Sequence, residues 1–287
     1  MIKWGTEKSV LHSFKETMKY IGHTMAVPGM DIAEAIRLFS ELGLNGIELV
    51  AQEGTPFNVF LPDEEIDRIL AASQKYKLPI VTITPYFWCI DSEDETLRRS
   101  EIDGLIYAVR LAKKMGAKFV RAYGGKDSVG GSEEEKFTRS VEALKEAGET
   151  AREQGITIVI ENHPGTMTRT GTATRRMVDA VGMESVKALY DPCNVLNDTN
   201  EDWLTTFNTQ KDIIGYVHCK DYRVEDGKRI ACVVGEGVVP WLEIMKRLKD
   251  QDCYISFEYE RRWYPDQIED AATGLPRCID YIRSAVK

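Results

Sequence analysis

Eight short apolar runs alternate with amphipathic helical patterns along the chain, and this alternation restricts the fold more than any other feature of the sequence. The first run, KYIGHTMA, precedes a helical pattern over 31–42 in which Ile32, Ala35, Ile36 and Phe39 share a face. Asp31 reads as its N-cap, with Glu34 three residues on, and Gly43 as its stop. GIELV, PIVTITPY and KFVRAYG are the next three runs, separated by helical patterns over 63–77 and 93–115. Ser132 and Glu135 form an S-x-x-E capping box for a helix ending at Gly155, whose Phe137, Val141, Leu144 and Gly148 fall on one face. ITIVIEN, VKALYDP, IIGYVHCKD and CYISFEYE complete the set, with helices over 172–181, 200–211, 239–249 and 267–286. After the seventh run, residues 222–237 read as a hairpin-like excursion turning at Asp226 and Gly227.

Eight strand and helix units in order predict an α/β fold, a single (β/α)8 TIM barrel over 1–287. Apolar strands such as ITIVI, with no polar alternation, suit a parallel sheet covered on both faces. A doubly wound open sheet would alternate in the same way. It is disfavoured because no G-x-G-x-x-G follows the first run and the polar strand ends gather on runs five to eight. A length of 287 residues and a hydrophobic fraction of 43% suffice for one large core of this type.

The net charge of -9 argues against a nucleic-acid partner, since phosphate binding draws on clustered Lys and Arg. No apolar stretch approaches the roughly 18 residues that span a bilayer, so no membrane association is expected. Six cysteines without a CxxC pair, and an N-terminus (MIKWGTEKSV) without the apolar core of a signal peptide, point to the reducing cytoplasm.

Four residues stand at or just beyond the ends of separate strands: Glu161, Asp191, His218 and Glu258. In a parallel barrel those ends share one mouth, so residues more than 90 positions apart can meet around one ion. Taken singly, each has a bland reading as a loop residue, a helix N-cap or a hydrogen-bonded histidine. Three carboxylates and one imidazole form an oxygen-rich set that suits Mn2+ first, with Mg2+, Co2+, Zn2+ or Fe2+ as substitutes. Such an ion supports removal of a proton next to a carbonyl by chelating the oxygens on which enediolate charge develops.

The stretches IENHPG, YDPCN, HCKD and FEYE, together with GIEL around Glu48 and GEGVVPW around Trp241, resemble the sugar phosphate isomerase/epimerase group of the xylose isomerase-like barrels. That group includes ketose 3-epimerases, hydroxypyruvate isomerase, inosose isomerase and inosose dehydratase. The resemblance implies that Glu161, Asp191, His218 and Glu258 hold one divalent cation, with Glu161 and Glu258 also acting as acid and base and Asp191 and His218 as anchors. It places Asn194 where the ketose 3-epimerases carry a substrate-contacting His.

Further candidates follow from position. His163, two residues past Glu161, is expected to face the mouth as a second acid/base group, and His23 at the first strand end as a substrate contact. Lys220 would bind a substrate oxygen or pair with a carboxylate, and Arg223 would orient substrate or lie solvated on the hairpin. Trp88, Tyr86, Trp263 and Tyr264 would wall the pocket or pack at the rim, and Arg261 and Arg262 would bind a phosphate or form a surface charge run.

The expected activity is metal-dependent isomerisation or epimerisation of a sugar or sugar-like hydroxy-ketone through a metal-bound enediolate. The alternative is a lyase that uses the same site for β-elimination, inosose dehydratase-like or as a 3-oxo-C-glycoside-cleaving subunit, with His163 as base or leaving-group acid. A homo-oligomer is expected, or a hetero-subunit under the lyase reading. A DNA-repair endonuclease of related fold is disfavoured by the presence of only four histidines and by the acidic charge. A non-catalytic sugar-binding barrel is disfavoured by the complete ligand set.

Overall fold

The structure is a computed structural model that describes residues 18–126 and 130–285. The N-terminal decapeptide, His12 and the last residue expected in the closing helix, Val286, lie outside the described residues. Eight parallel strands close into a barrel: β1 (Lys19–His23), β2 (Gly46–Ala51), β3 (Ile80–Pro85), β4 (Phe119–Ala122), β5 (Thr157–Glu161), β6 (Val186–Tyr190), β7 (Ile214–Cys219) and β10 (Tyr254–Phe257). β10 pairs with both β7 and β1, so the barrel has no free edge. The expected (β/α)8 architecture is therefore the observed one.

Helices cover the outside: α1 (Ile32–Glu41), α2 (Asp63–Tyr76), α3 (Glu95–Met115), α4 (Glu133–Gln154), α5 (Gly171–Val181), α6 (Pro192–Asp198), α7 (Trp203–Gln210), α8 (Trp241–Leu248) and α9 (Ala271–Ser284). Their starts follow side-chain chemistry. The Asp31 carboxylate accepts from the amides of Ala33 and Glu34, and Ser132 and Glu135 make the reciprocal capping box. α9 starts later than expected because Asp270, not a residue near 267, caps it through Thr273 N–H. The buried face of α4 also differs: Ser140, Ala143, Leu144, Ala147 and Gly148 are inside, while Phe137 and Val141 pack at its half-buried margin.

Period-2 alternation divides the strand residues between two cores. Ile158, Ile160, Val217, Ile255 and Phe257 face the helices, whereas Val159, Leu189, Tyr216 and Tyr254 fill the barrel with Ile21, Val81 and Phe119. On β5, β6 and β7 the next inward position is Glu161, Asp191 and His218. The mouth is thus built directly on an apolar plug.

β8 (Asp221–Glu225) and β9 (Lys228–Cys232) form an antiparallel hairpin beyond β7. Asp226 and Gly227 both have positive φ, +49° and +72°, the pattern of a tight two-residue turn that splices two twisted strands. Asp221 ties the hairpin to the barrel. Its carboxylate accepts from the amides of Tyr222, Gly235, Gly237 and Val239 at 3.0–3.2 Å. Gly237 is required there, since a Cβ would stand 2.1 Å from Asp221 Oδ1 and 2.3 Å from the Tyr222 carbonyl. All six cysteines are free, and among the described residues no helix is long and apolar enough to cross a membrane.

Candidate metal centre and active site

Glu161, Asp191, His218 and Glu258 each present one donor atom within 4.8 Å of the others, and all four are buried at the barrel mouth. His218 lies between the two glutamates, with Nδ1 3.5 Å from Glu161 Oε1 and 3.3 Å from Glu258 Oε2. His218 Nδ1 is buried without a hydrogen-bond partner and Asp191 Oδ2 has only the Lys220 ammonium beside it, an arrangement that leaves lone pairs on both atoms for something else to take up. Three carboxylates and one imidazole, with lone pairs left on two of them, fit a divalent cation that prefers oxygen.

The framework around the quartet is densely hydrogen-bonded. Asp191 caps α6 through Asn194 N–H, and its own amide and carbonyl make reciprocal hydrogen bonds with the Asn162 side chain at 2.9 and 2.7 Å. Asn194 Nδ2 donates to Glu161 Oε1 at 3.2 Å and to the Asn162 carbonyl at 3.1 Å, so it orients a quartet carboxylate. Lys220, itself buried, places Nζ 2.7 Å from Glu258 Oε2, 3.0 Å from Asp191 Oδ2 and 3.5 Å from Glu260 Oε1. Of its two expected roles, carboxylate pairing is the one adopted here. The Trp241 indole donates to the Lys220 carbonyl at 3.0 Å, which fixes the backbone that carries the ammonium.

Electrostatics sets the quartet members apart. Burial pushes the Asp191 carboxyl up to about 7, aided by Glu258 and Glu161 and opposed by Lys220. Burial works in the same direction on Glu161, but His163, His218 and Arg121 outweigh it and hold that carboxyl down at about 2. Glu258 is likewise held well below the usual range by His218 and Lys220 against its burial. His163 goes the other way: burial lowers its imidazole, with Glu161 opposing.

His163 stands apart from the quartet in a half-buried aromatic wall. Its ring meets Trp88 edge-on at 5.2 Å and Tyr123 at 5.1 Å, and Trp88 stacks on Tyr123 at 3.8 Å. Nδ1 lies 2.7 Å from the Pro164 carbonyl, which fixes the ring and makes Nδ1 the protonated nitrogen. Tyr86 joins this wall through Trp88, whereas Trp263 and Tyr264 are exposed beyond β10. Arg261 donates to the Pro265 and Ile268 carbonyls and Arg262 to Gln52, so both are tied into loop structure. His23 is fully buried on the far side of the quartet, next to Glu48. Arg223 is not brought to the mouth; it lies on the partly exposed hairpin, paired with Glu225.

Several mouth residues were not singled out from the sequence. Arg121 sits inside β4, fully buried, with Nη1 3.5 Å from Glu161 Oε2 and its guanidinium 3.8 Å over Tyr123. Glu48 sits inside β2, and Glu260 sits just past β10. For Arg121 and Glu48, a charged residue in the middle of an otherwise apolar strand was the available signal, because such a residue is rarely buried without a purpose.

A family model described as the xylose isomerase-like TIM barrel matches residues 36–284. Fructoselysine 3-epimerase of Shigella flexneri is 25% identical over 232 residues, covering 77% of this chain and 82% of that protein. Inosose dehydratase of Geobacillus thermodenitrificans is 30% identical over 97 residues, 34% of this chain and 32% of that protein. Among solved structures, a xylose isomerase-like TIM barrel protein from Mycobacterium smegmatis in complex with magnesium superposes with a TM-score of 0.75 at 15% identity, covering 94% of this chain and 98% of that one.

Proposed function

The chain belongs to the xylose isomerase-like TIM barrel family, and from that premise we propose that it is a divalent-metal-dependent isomerase or epimerase of a sugar or sugar-like hydroxy-ketone. The observation that carries this reading is the pair of carboxylates flanking one imidazole, with Glu161 Oε1 and Glu258 Oε2 at 3.5 and 3.3 Å from His218 Nδ1. Glu161, Asp191, His218 and Glu258 would hold the cation, with Mn2+ or Mg2+ suiting the donor set best. When bound, the cation stabilises negative charge developing on a carbonyl oxygen and its neighbouring hydroxyl as the adjacent carbon loses its proton.

The chain's own residues supply the proton transfers. Glu161 and Glu258 approach from β5 and from the end of β10, so one removes a proton from one side of the bound carbon and the other returns one from the opposite side. Arg121 beside Glu161 and Lys220 beside Glu258 keep both groups ionised and in place between turnovers. The aromatic wall of Trp88, Tyr123 and Tyr86 offers apolar faces to the C–H surface of a sugar and excludes water from that side.

A second reading, β-elimination, is favoured by His163. It is an imidazole outside the ligand quartet whose Nδ1–H is held by the Pro164 carbonyl, which leaves Nε2 to accept the proton from the reacting carbon and then, as imidazolium, to pass it to the departing oxygen. Relatives of both kinds, an epimerase and a dehydratase, are consistent with the two readings. Incubation of the Mn2+-supplied protein with keto-sugars, cyclitols and 3-oxo-glycosides in D2O separates them. An isomer carrying deuterium at the reacting carbon supports the first, and loss of water or aglycone supports the second. An isomer without solvent deuterium would contradict proton transfer by the glutamates.

A further inference from the structure

Beside the quartet lies a second cluster, His23, Glu48 and His218, whose donor atoms also fall within 4.8 Å of one another and whose side chains are fully buried. By residue type it is a candidate for a second cation. Its hydrogen bonds argue otherwise. The Met25 amide donates to His23 Nδ1 over 3.1 Å. An amide only donates, so Nδ1 is the bare nitrogen and Nε2 carries the ring proton. A protonated Nε2 has no lone pair for a metal. It lies 3.4 Å from Glu48 Oε1 and 4.0 Å from Glu258 Oε1 without a hydrogen bond to either.

Glu48 is filled in the same sense. The Tyr216 hydroxyl donates to Oε2 at 3.0 Å, the Thr84 hydroxyl donates to Oε1, and His218 Nε2 stands 3.1 Å from Oε1. Three donors thus converge on one side chain inside the barrel, with His23 Nε2 nearby but not hydrogen-bonded to it. An ionised carboxylate accepts about four hydrogen bonds and donates none, whereas an amide offers one oxygen and adds two N–H donors.

We propose that Glu48 is a positioning residue that accepts the Nε2 proton of His218, so that the Nδ1 lone pair faces the gap between Glu161 and Glu258, and that the chain binds one cation, not two. The inference rests on the proposed role of the quartet as a cation site. It gives the fully buried Glu48 a task, which is to fix which nitrogen of His218 is free. Outer-shell carboxylates that hold a ligating histidine in this way typically govern metal affinity by about 10- to 100-fold.

The test compares wild type, Glu48→Gln and His23→Gln in two ways. Mn2+ stoichiometry and affinity are read from the EPR signal of the free ion. The protonated nitrogen of His218 is read by long-range 1H–15N correlation on Zn2+-loaded, 15N-histidine-labelled protein. Expected are one Mn2+ per chain throughout, binding roughly 10- to 100-fold weaker in Glu48→Gln, and a His218 proton on Nε2. Two Mn2+ per wild-type chain with one lost in His23→Gln would overturn the proposal, as would a His218 proton on Nδ1 or unchanged affinity in Glu48→Gln. Stoichiometry and tautomer are read on the wild-type chain, so refutation does not depend on the folding of a variant. A wild type that binds no cation removes the proposed function and this inference together. One cation held equally by wild type and Glu48→Gln removes the inference alone.

Discussion

Replacing Lys220 by Met keeps most of the side-chain volume and removes a buried ammonium from between Glu258, Asp191 and Glu260, at 2.7, 3.0 and 3.5 Å. Breaking a buried ion pair by deleting one partner costs about 3–5 kcal/mol, because the remaining charge is left without compensation in a poorly solvated site. Here two quartet carboxylates are left in that state, so the metal-free variant should fall within that range. At roughly 2–4 °C per kcal/mol for a chain of this size class, the melting temperature should drop by about 6–20 °C. The same change should favour the cation. Wild-type Lys220 repels a divalent ion bound next to it, so Lys220→Met should bind Mn2+ about tenfold more tightly, or about 1.4 kcal/mol. Linkage then requires that saturating Mn2+ raise the variant's stability by more than it raises that of wild type. Thermal unfolding by circular dichroism with EDTA and with Mn2+, together with Mn2+ titration, measures both effects. A Lys220→Met chain that melts within about 2 °C of wild type in EDTA, or that binds Mn2+ more weakly, would refute the reasoning.

Three further outcomes are expected. Asp221→Ala strips the acceptor from four backbone amides at the root of the hairpin and should cost on the order of 3 kcal/mol in urea unfolding; a loss below about 1 kcal/mol would mean that water replaces the carboxylate at little cost. Gly237→Ala drives a Cβ to within 2.1 Å of Asp221 Oδ1 and should destabilise by about 1–3 kcal/mol, so a neutral result would show that the loop can shift. His163→Gln should leave solvent deuterium exchange into a keto-sugar within about tenfold of wild type if the reaction is isomerisation, and should abolish release of water or aglycone if it is elimination, a step to which a positioned proton donor typically contributes about 10²–10⁴-fold.

The parts of the molecule that were legible in the sequence are those with a local physical cause. Asp31, the Ser132 and Glu135 box and the Asp226–Gly227 turn act within a few residues of themselves, and each appears where its chemistry places it. The convergence of Glu161, Asp191, His218 and Glu258 was readable because one end of every parallel strand opens on the same mouth. Glu48 and Arg121 were harder to find because their strands are apolar on both faces, which hides the period-2 pattern that would reveal an inward residue. α6 was hidden because it is seven residues long and begins at the Asp191 cap. The roles of Lys220 and Asn194 depend on carboxylates 29 to 40 positions away, and no local pattern encodes which carboxylate each will meet.

The most direct test of Glu161 and Glu258 as the proton-carrying pair is the rate of deuterium incorporation from D2O into a converted substrate by Glu161→Gln with its cation content verified. Loss of exchange by at least about 10²-fold with the metal still bound is expected, since general acid–base groups contribute about 10²–10⁴-fold. Exchange at the wild-type rate in metal-loaded Glu161→Gln would contradict the assignment.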